Sequence, residues 1–389
     1  MKLLLPIQLY FYLALSKLLP LFIKPSPKEK SILYLAAFYP GNSGYHWRAK
    51  KWEEKLEEKG YTVTILHALE EKEFRDYSNS PALFMFRFLH RRFWQVIKAR
   101  KYETVIVRRE ILIYNDYGNL FLEKLLTKLC SKRILDFDDD LAAAKKQPKA
   151  ITSPYAKLML ENGNSFIESL QYYTKFSVAS QYLKEYVQKY TSIPVKNIAI
   201  IPTCVDYDQY PAKDYSKRSD VFTFGWIGGD HNYFLLQNII PILNSLAEKY
   251  KFKLVVIGGA KFKTDSNFPI INKKWSLDTE VEDLYTIDIG LMPLDTSLHS
   301  KGKGGFKLIQ YMGLGIVGVA QNITINADIV DDKNNSFLYS TNEEFVTILT
   351  KILKEEVDLV KMGKLAKARI NQYFSFNGNI EHFFKLISL

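Results

Sequence analysis

Cysteine is nearly missing: Cys130 and Cys204 are the only two in 389 residues, far apart and each in an apolar setting. They support neither a disulfide framework nor a cysteine-based metal site, and they read as buried thiols of a reducing compartment. Zinc-finger spacing and the aromatic signature of RNA-binding sheets are also absent. The net charge of +11 therefore points to a nucleotide or an anionic lipid and away from nucleic acid. No short repeat or low-complexity tract interrupts the chain. The apolar run Leu3 to Ile23 contains no acidic residue and is flanked by Lys2 and Lys24. Pro25, Ser26, Pro27 and Lys28 follow it, which offers no small-residue cleavage site and argues against a secretory signal. Its length would just permit a span, but Pro6, Gln8, Lys17 and Pro20 favour a helix that packs on the protein or lies in a membrane interface.

A chain this long can bury two cores, since one core seldom grows past roughly 250 to 300 residues. Residues 1–30 form the apolar segment and its linker. Beyond them β-rich runs alternate with helical patterns. Ile32–Phe38, Thr62–Leu66, Thr104–Val107, Arg133–Phe137, Phe176–Ala179 and Asn197–Ile201 read as buried strands, with helices over Trp47–Lys59 and Tyr117–Leu129. The polar, proline-containing run Ile201–Asp220 marks the domain boundary, placed at 210/211. A second alternation follows, with strands over Val221–Ile227, Lys253–Ile257, Ile287–Leu291, Ile316–Val319 and Phe337–Tyr339. Helices are expected over Tyr233–Tyr250, Gly305–Met312 and Glu343–Leu353. The fold class is α/β, with two Rossmann-like parallel-sheet domains facing a central cleft.

The stretch Asp288 to Val319 is the most informative. An apolar strand runs into a loop bearing Lys301, Lys303 and Lys307 with Gly302, Gly304 and Gly305, and the loop opens onto a helix at Phe306. The glycines let backbone N–H groups approach a ligand, the helix N-terminus adds partial positive charge, and the lysines add full charges. A diphosphate fits better than one carboxylate. A solvated lysine loop is the plainer reading, and the glycines and flanking elements weigh against it.

Gly225–Asn232 (GWIGGDHN) forms a second glycine-rich strand-to-helix turn, where Gly228 and Gly229 either cradle phosphate or make a tight turn only. Asp230 and Asn232 could cap the next helix, and His231 is a surface residue or a ligand contact. Gly41–Arg48 (GNSGYHWR) mirrors that turn in the first half. Gly44, His46 and Arg48 either point into the crevice or start a helix with Arg48 on its wet face. Asp136–Asp140 (DFDDD) crowds carboxylates at a strand end, which something must neutralise. Divalent metal, a substrate hydroxyl, or helix capping by Asp139 or Asp140 are its possible uses, and Asp138 is the favoured functional residue. Leu83–Tyr102 is a basic, aromatic helix suited both to packing on its own sheet and to an anionic membrane surface.

The segments SQYLKEY from Ser180, IPTCVDYDQY from Ile201, FGWIG from Phe224, DIGLMPL from Asp288, GFKLIQYM from Gly305 and FSF from Phe374 together resemble retaining glycosyltransferases of GT-B fold, the large group often called family four. The resemblance covers most of the chain after Lys30 and is strongest from Phe222 to Val319. It implies that residues 211–373 bind a nucleotide sugar and that residues 31–210 hold the acceptor. The final helix, within 374–389, is implied to return to the first domain. It also implies metal-independent transfer with retained anomeric configuration and no cofactor, the leaving diphosphate helping to deprotonate the acceptor. Two positions depart from the pattern. The family's glutamate pair falls on Gly302 and Gln310, and its usual Arg and Lys after the first strand of the second domain are replaced by Gly228-Gly-Asp-His-Asn.

The expected function is transfer from a UDP- or GDP-sugar to a glycan or lipid-linked acceptor in bacterial surface polysaccharide synthesis, in the cytoplasm at the inner face of the membrane. Lys301, Lys303 and Lys307 take the diphosphate with Gly228, Gly229, Gly304, Gly305 and Phe306, and Gln310 meets the ribose. Gly44, His46, Arg48, Asp138 and Asp139 face the acceptor, with Asp138, His46 and Lys307 as the catalytic candidates. A non-catalytic nucleotide-sugar scaffold and a GT-B sugar-nucleotide epimerase are the alternatives.

Overall fold

The computed structural model describes residues 4–75, 80–114, 116, 118–145 and 163–388. The chain divides into two units, Met1–Thr203 with Ile380–Leu389, and Cys204–Asn379.

The first unit is built on a parallel sheet of β1 (Lys28–Ala36), β2 (Thr62–His67), β3 (Tyr102–Arg108), β4 (Lys132–Phe137), β5 (Lys175–Val178) and β6 (Ile198–Ile200). Its order is β2-β1-β3-β4-β5-β6. Ile32 to Ala36, Val105 to Val107 and Ile134 to Phe137 are buried without alternation, as a parallel sheet covered on both faces requires. β1 sits between β2 and β3, so the chain leaves β1 and β3 toward opposite faces of the sheet. That topological switch opens a crevice at the strands' carboxyl ends.

Helix α1 (Leu4–Phe22) packs against α2 (Pro81–Lys98) and α3 (Phe121–Leu129). Leu5, Leu9 and Tyr12 are buried there. The apolar N-terminal segment is thus a helix with one face on the domain core. Pro20 lies inside it near its end and supplies no N–H to the Ser16 carbonyl.

Glu123, in the first turn of α3, is 6% exposed. Burial and the neighbouring Asp116 push its pKa up to about 8, from an ordinary value of 4.5. Between these values the native state holds a proton that the unfolded chain has released. The stability that this group contributes is therefore full below pH 4.5 and is lost as pH rises toward 8. Melting temperature measured from pH 5 to 8 should decline with this slope, and Glu123→Gln should flatten the decline.

The second unit carries β7 (Phe222–Ile227), β8 (Phe252–Gly258), β9 (Ile270–Lys274), β10 (Ile289–Met292), β11 (Val317–Gln321) and β12 (Phe337–Tyr339). The order β12-β11-β10-β7-β8-β9 is the Rossmann arrangement, with its switch between β7 and β10. Helix α4 (Phe306–Gly313) covers this region and packs against α5 (Leu359–Tyr373). Gly290 of β10 has no side chain, and a Cβ there would come within 2.3 Å of the Tyr311 ring. The ring lies against the strand and its hydroxyl accepts the Ile227 N–H at 2.9 Å, which ties α4 to the end of β7.

The Asn342–Leu353 helix begins in a variant of the capping box, with Thr341 as N-cap and Glu344 reaching one residue beyond it. Thr341 Oγ1 accepts the Glu344 N–H, and Glu344 Oε2 accepts the Ser340 N–H at 2.6 Å. The final helix, α6 (Phe376–Ser388), starts in the second unit, and its residues from Ile380 belong to the first. There Phe383 packs on Trp52, and Lys175 Nζ donates to the Leu386 carbonyl at 2.7 Å.

Candidate functional site

In the second unit both glycine-rich motifs leave neighbouring strands at the switch point. The Gly228–Asn232 turn follows β7, and the loop ending at Gly305 follows β10. Their contacts are direct. Lys303, 8% exposed, donates from Nζ to Asn232 Oδ1 at 3.0 Å. Lys307 lies across the Trp226 ring, its Nζ 5.2 Å from the centroid. A Cβ on Gly228 would stand 2.5 Å from Lys307 Cε, so glycine makes room for that side chain. Gly305 adopts φ 68°, a left-handed conformation open to glycine at little cost, and it turns the chain into α4. A Cβ there would also strike Ile329 at 2.6 Å. Gly304 is buried beside it and Phe306 is half-buried. The result is a strand-end surface with two ammonium groups, a glycine turn and a helix N-terminus, a set suited to polyphosphate.

Asp230 and Asn232 do not cap the following helix. Asp230 Oδ1 accepts the N–H groups of Gly259 and Ala260 at 2.8 and 2.9 Å, fastening the turn after β7 to the one after β8. Asn232 is taken up by Lys303, and the Tyr233–Gln237 helix has no side-chain cap bond. Gly229 and His231 are exposed, with His231 Nε2 3.0 Å from the Asn232 amide nitrogen. Lys301 is exposed at the end of the short Leu298–Lys301 helix, and no hydrogen bond or ion pair among the described residues joins it to the turn.

Gln310 is 3% exposed on α4, beside the Tyr207 hydroxyl. Tyr207 in turn donates to Glu280 Oε1 at 3.1 Å, and Trp275 Nε1 donates to Glu280 Oε2 at 2.7 Å. The amide of Gln310 is directed at the Tyr207 hydroxyl.

In the first unit the switch between β1 and β3 gathers a second cluster. Asn42 Oδ1 accepts the Gly44 and Tyr45 N–H groups, starting a short helix that widens into one π-turn over His46–Lys50. π-turns gather at functional positions. Arg48 on that turn is 1% exposed, which corrects both expectations for it: it neither lies on a wet face nor presents its guanidinium to a ligand. It grips Asp136 in a fork, with Nη2 on Oδ1 and Nε on Oδ2 at 3.1 Å, and Nη1 donates to the Ile201 carbonyl at 2.9 Å. Ser177 Oγ adds a bond to Asp136 Oδ1 at 2.7 Å.

Arg108 at the end of β3 completes the network, with Nη1 3.5 Å from Asp136 Oδ2 and Nη2 2.7 Å from Asp138 Oδ1. The crowded carboxylates are neutralised by arginines of the same domain. Burial alone would raise the Asp138 pKa, but Arg108, Arg48 and Arg109 outweigh it and hold the group well below the usual carboxylate range. Its side chain keeps 17% exposure, so Asp138 reaches the surface where Asp136 does not. Asp139 is half-buried beside it, and Asp140 Oδ1 accepts the Ala143 N–H at 2.9 Å as a helix cap. Among the described residues no group of three or more His, Cys, Asp or Glu side chains could hold a metal ion.

His46 is half-buried, edge-on to Trp47 with ring centroids 4.7 Å apart. Burial, then the charge of Lys51, lowers its pKa, so the neutral imidazole prevails at pH 7. Gly44 lies next to Arg108, whose Nη2 would be 3.8 Å from a Cβ at that position. Arg108 and Arg109 join the candidate residues only in the folded sheet. The signal for them was two arginines directly after the buried run Thr104–Val107, at a strand's carboxyl end.

No protein-family model matches the chain. In sequence it is similar to the GDP-Man:Man(3)GlcNAc(2)-PP-Dol alpha-1,2-mannosyltransferase of Dictyostelium discoideum, 25% identical over 199 residues. The match spans 43% of this chain and 39% of that protein, well under half the relative's length. In structure it is similar to sucrose-phosphate synthase of Thermosynechococcus elongatus, with TM-score 0.65 and 12% identity over 92% of this chain and 98% of that one. It is also similar to HepE of Anabaena in complex with UDP-glucose, with TM-score 0.60 and 12% identity over 92% of this chain and 100% of the other. At such identities the likeness establishes the fold. It is the GT-B fold, with two six-stranded parallel sheets flanked by helices.

Proposed function

We propose that this GT-B chain is a retaining glycosyltransferase, moving a sugar from a nucleoside diphosphate sugar to a glycan or lipid-linked acceptor of the kind used in surface polysaccharide assembly. The observation that carries the reading is the convergence of Lys303, Lys307, Gly228 and the start of α4 at the second unit's switch point. The likeness to a structure that holds UDP-glucose supports the choice of donor class.

In this reaction the bond from the anomeric carbon to the diphosphate oxygen breaks, and a bond from the acceptor oxygen to that carbon forms on the same face. The acceptor proton passes to the departing phosphate, giving a glycoside and a nucleoside diphosphate. Lys303 and Lys307 would stabilise the charge that grows on the leaving group, and the α4 N-terminus would add to it. The Gln310 amide would donate to the ribose. Asp138 and neutral His46 would orient the acceptor hydroxyl. The diphosphate charge is met by lysines, so the reading needs no bound metal.

A panel of UDP- and GDP-sugars tests the donor assignment by thermal shift. One of them should raise the melting temperature, since free ligand at a hundred times its Kd stabilises by about 2.7 kcal/mol. A panel without any shift would sink the reading. The replacement of the family's glutamate pair by Gly302 and the buried Gln310 favours one other reading, a scaffold that binds the donor without turning it over. Donor stabilisation with no transfer or hydrolysis on any acceptor would select it.

A further inference from the structure

Helix α1 is apolar on both faces. Leu5, Leu9 and Tyr12 are buried against the domain, while Ile7, Phe11, Leu18 and Leu21 form a stripe on the opposite side. Their exposures are 62%, 57%, 53% and 68%, and Phe22 next to them reaches 81%. A surface helix of a water-soluble domain ordinarily turns polar residues outward. Here a stripe at three- and four-residue spacing is left for another apolar phase, and scattered single exposures would not make such a pattern.

The second helix extends this surface. Gln8 Nε2 donates to the Phe86 carbonyl at 2.9 Å, and the Tyr12 hydroxyl meets His90 Nδ1 at 2.5 Å, so the outer edge of α2 runs beside α1. That edge exposes Phe86 by 40% and Trp94 by 44%, with Arg87, His90 and Lys98 at successive turns, and an open groove follows it. Glu73 offsets part of the charge through Arg91 at 2.8 Å and Arg87 at 3.8 Å. Lys17, Lys24 and Lys98 remain exposed. The chain has no acidic residue before Glu29. Apolar stripe, exposed tryptophan and cationic rim together match the interface of an anionic bilayer.

We infer that the outer face of α1, with the Phe86–Lys98 edge of α2, docks the protein flat on an anionic lipid bilayer. By length and composition Leu5–Phe22 could cross a membrane. Its inner face is instead committed to the domain core, and a crossing would strip Leu5, Leu9 and Tyr12 from α2 and α3. The helix lies in the interface with its axis along the surface. The inference rests on the first unit alone, so its failure would leave the transfer reading standing, and the reverse holds too.

Flotation of the purified full chain with vesicles tests it. Binding is expected to phosphatidylcholine vesicles containing phosphatidylglycerol and to weaken with salt. The double variant Phe11→Asp with Leu18→Asp should bind at least about tenfold more weakly, since both side chains are then too polar to enter the interface. Lys17→Glu with Lys24→Glu should lose the preference for anionic vesicles. Acyl chains brominated near the headgroup should quench wild-type fluorescence, and Trp94→Phe should remove most of that quenching, a readout that survives if the aspartate variant fails to fold. The inference is overturned by unchanged binding of a folded Phe11/Leu18 variant, or by equal binding to uncharged vesicles. Retention in cell membranes after alkaline carbonate would overturn it in favour of a span. A dimer in solution that the stripe variant dissociates, without vesicle binding, would assign the face to a second copy of the chain.

Discussion

Lys307→Ala should lower kcat/KM for sugar transfer by about 10²–10³-fold, the loss typical when one preorganised stabiliser of developing charge is removed. The melting temperature should stay close to that of the wild type. Lys307 is half-exposed on the first turn of α4 and its ammonium lies over Trp226, so truncation opens no cavity in the core. Lys303→Ala would be a poorer probe. That lysine is 8% exposed and bonded to Asn232, and removing it would disturb the Gly228–Asn232 turn together with the charge. Gly228→Ala gives an independent approach to the same ammonium, because its Cβ would press on Lys307 Cε. Single-turnover rates at saturating donor separate chemistry from binding. Unchanged turnover in Lys307→Ala would remove the basis for assigning the diphosphate to this loop.

Arg48→Ala should destabilise the protein by about 3–5 kcal/mol, measured by urea denaturation, a large share of the roughly 5–15 kcal/mol that holds a typical domain folded. The cost comes from what is left behind. Asp136 is 2% exposed and would keep only Ser177 and the longer contact to Arg108, while the Ile201 carbonyl would lose its donor. Arg48→Lys should recover only part of the loss, because an ammonium cannot make the two-pronged contact with the carboxylate. Arg48→Met combined with Asp136→Leu should cost less than Arg48→Ala, since removing both charges together leaves neither one stranded. If Arg48→Ala proved neutral, the network would not hold the first unit's crevice in place.

The two-sheet fold was legible because parallel strands buried on both faces leave continuous apolar runs, and Ile32–Phe38, Arg133–Phe137 and Phe222–Ile227 are of that kind. β9 escaped because it is an edge strand reading Ile-Ile-Asn-Lys-Lys, half-exposed and polar at its end. The expected Tyr233–Tyr250 helix is broken at Asn238–Ile239, with Pro241 in the first turn of the second piece, where its missing N–H costs nothing. Tyr117–Leu129 shortens to Phe121–Leu129 because Gly118 and Leu120 take positive φ values of 74° and 49°.

Around the site, the glycine turns were visible as punctuation between strand and helix. The partners were not. Arg48 to Asp136 spans 88 positions and Lys303 to Asn232 spans 71, and periodicity carries no information at such separations. The role of Arg48 was misread for the same reason, since only the folded sheet shows which carboxylate it meets.

The two thiols divide evenly, Cys130 in the first unit and Cys204 in the second, and both are buried. Burial pushes the Cys130 pKa up to about 11, so its sulfur is protonated and inert while the fold is closed. Each half of the molecule therefore carries a single chemical clock: the time at which its sulfur first accepts an alkylating label records when that half opens, without any engineered reporter.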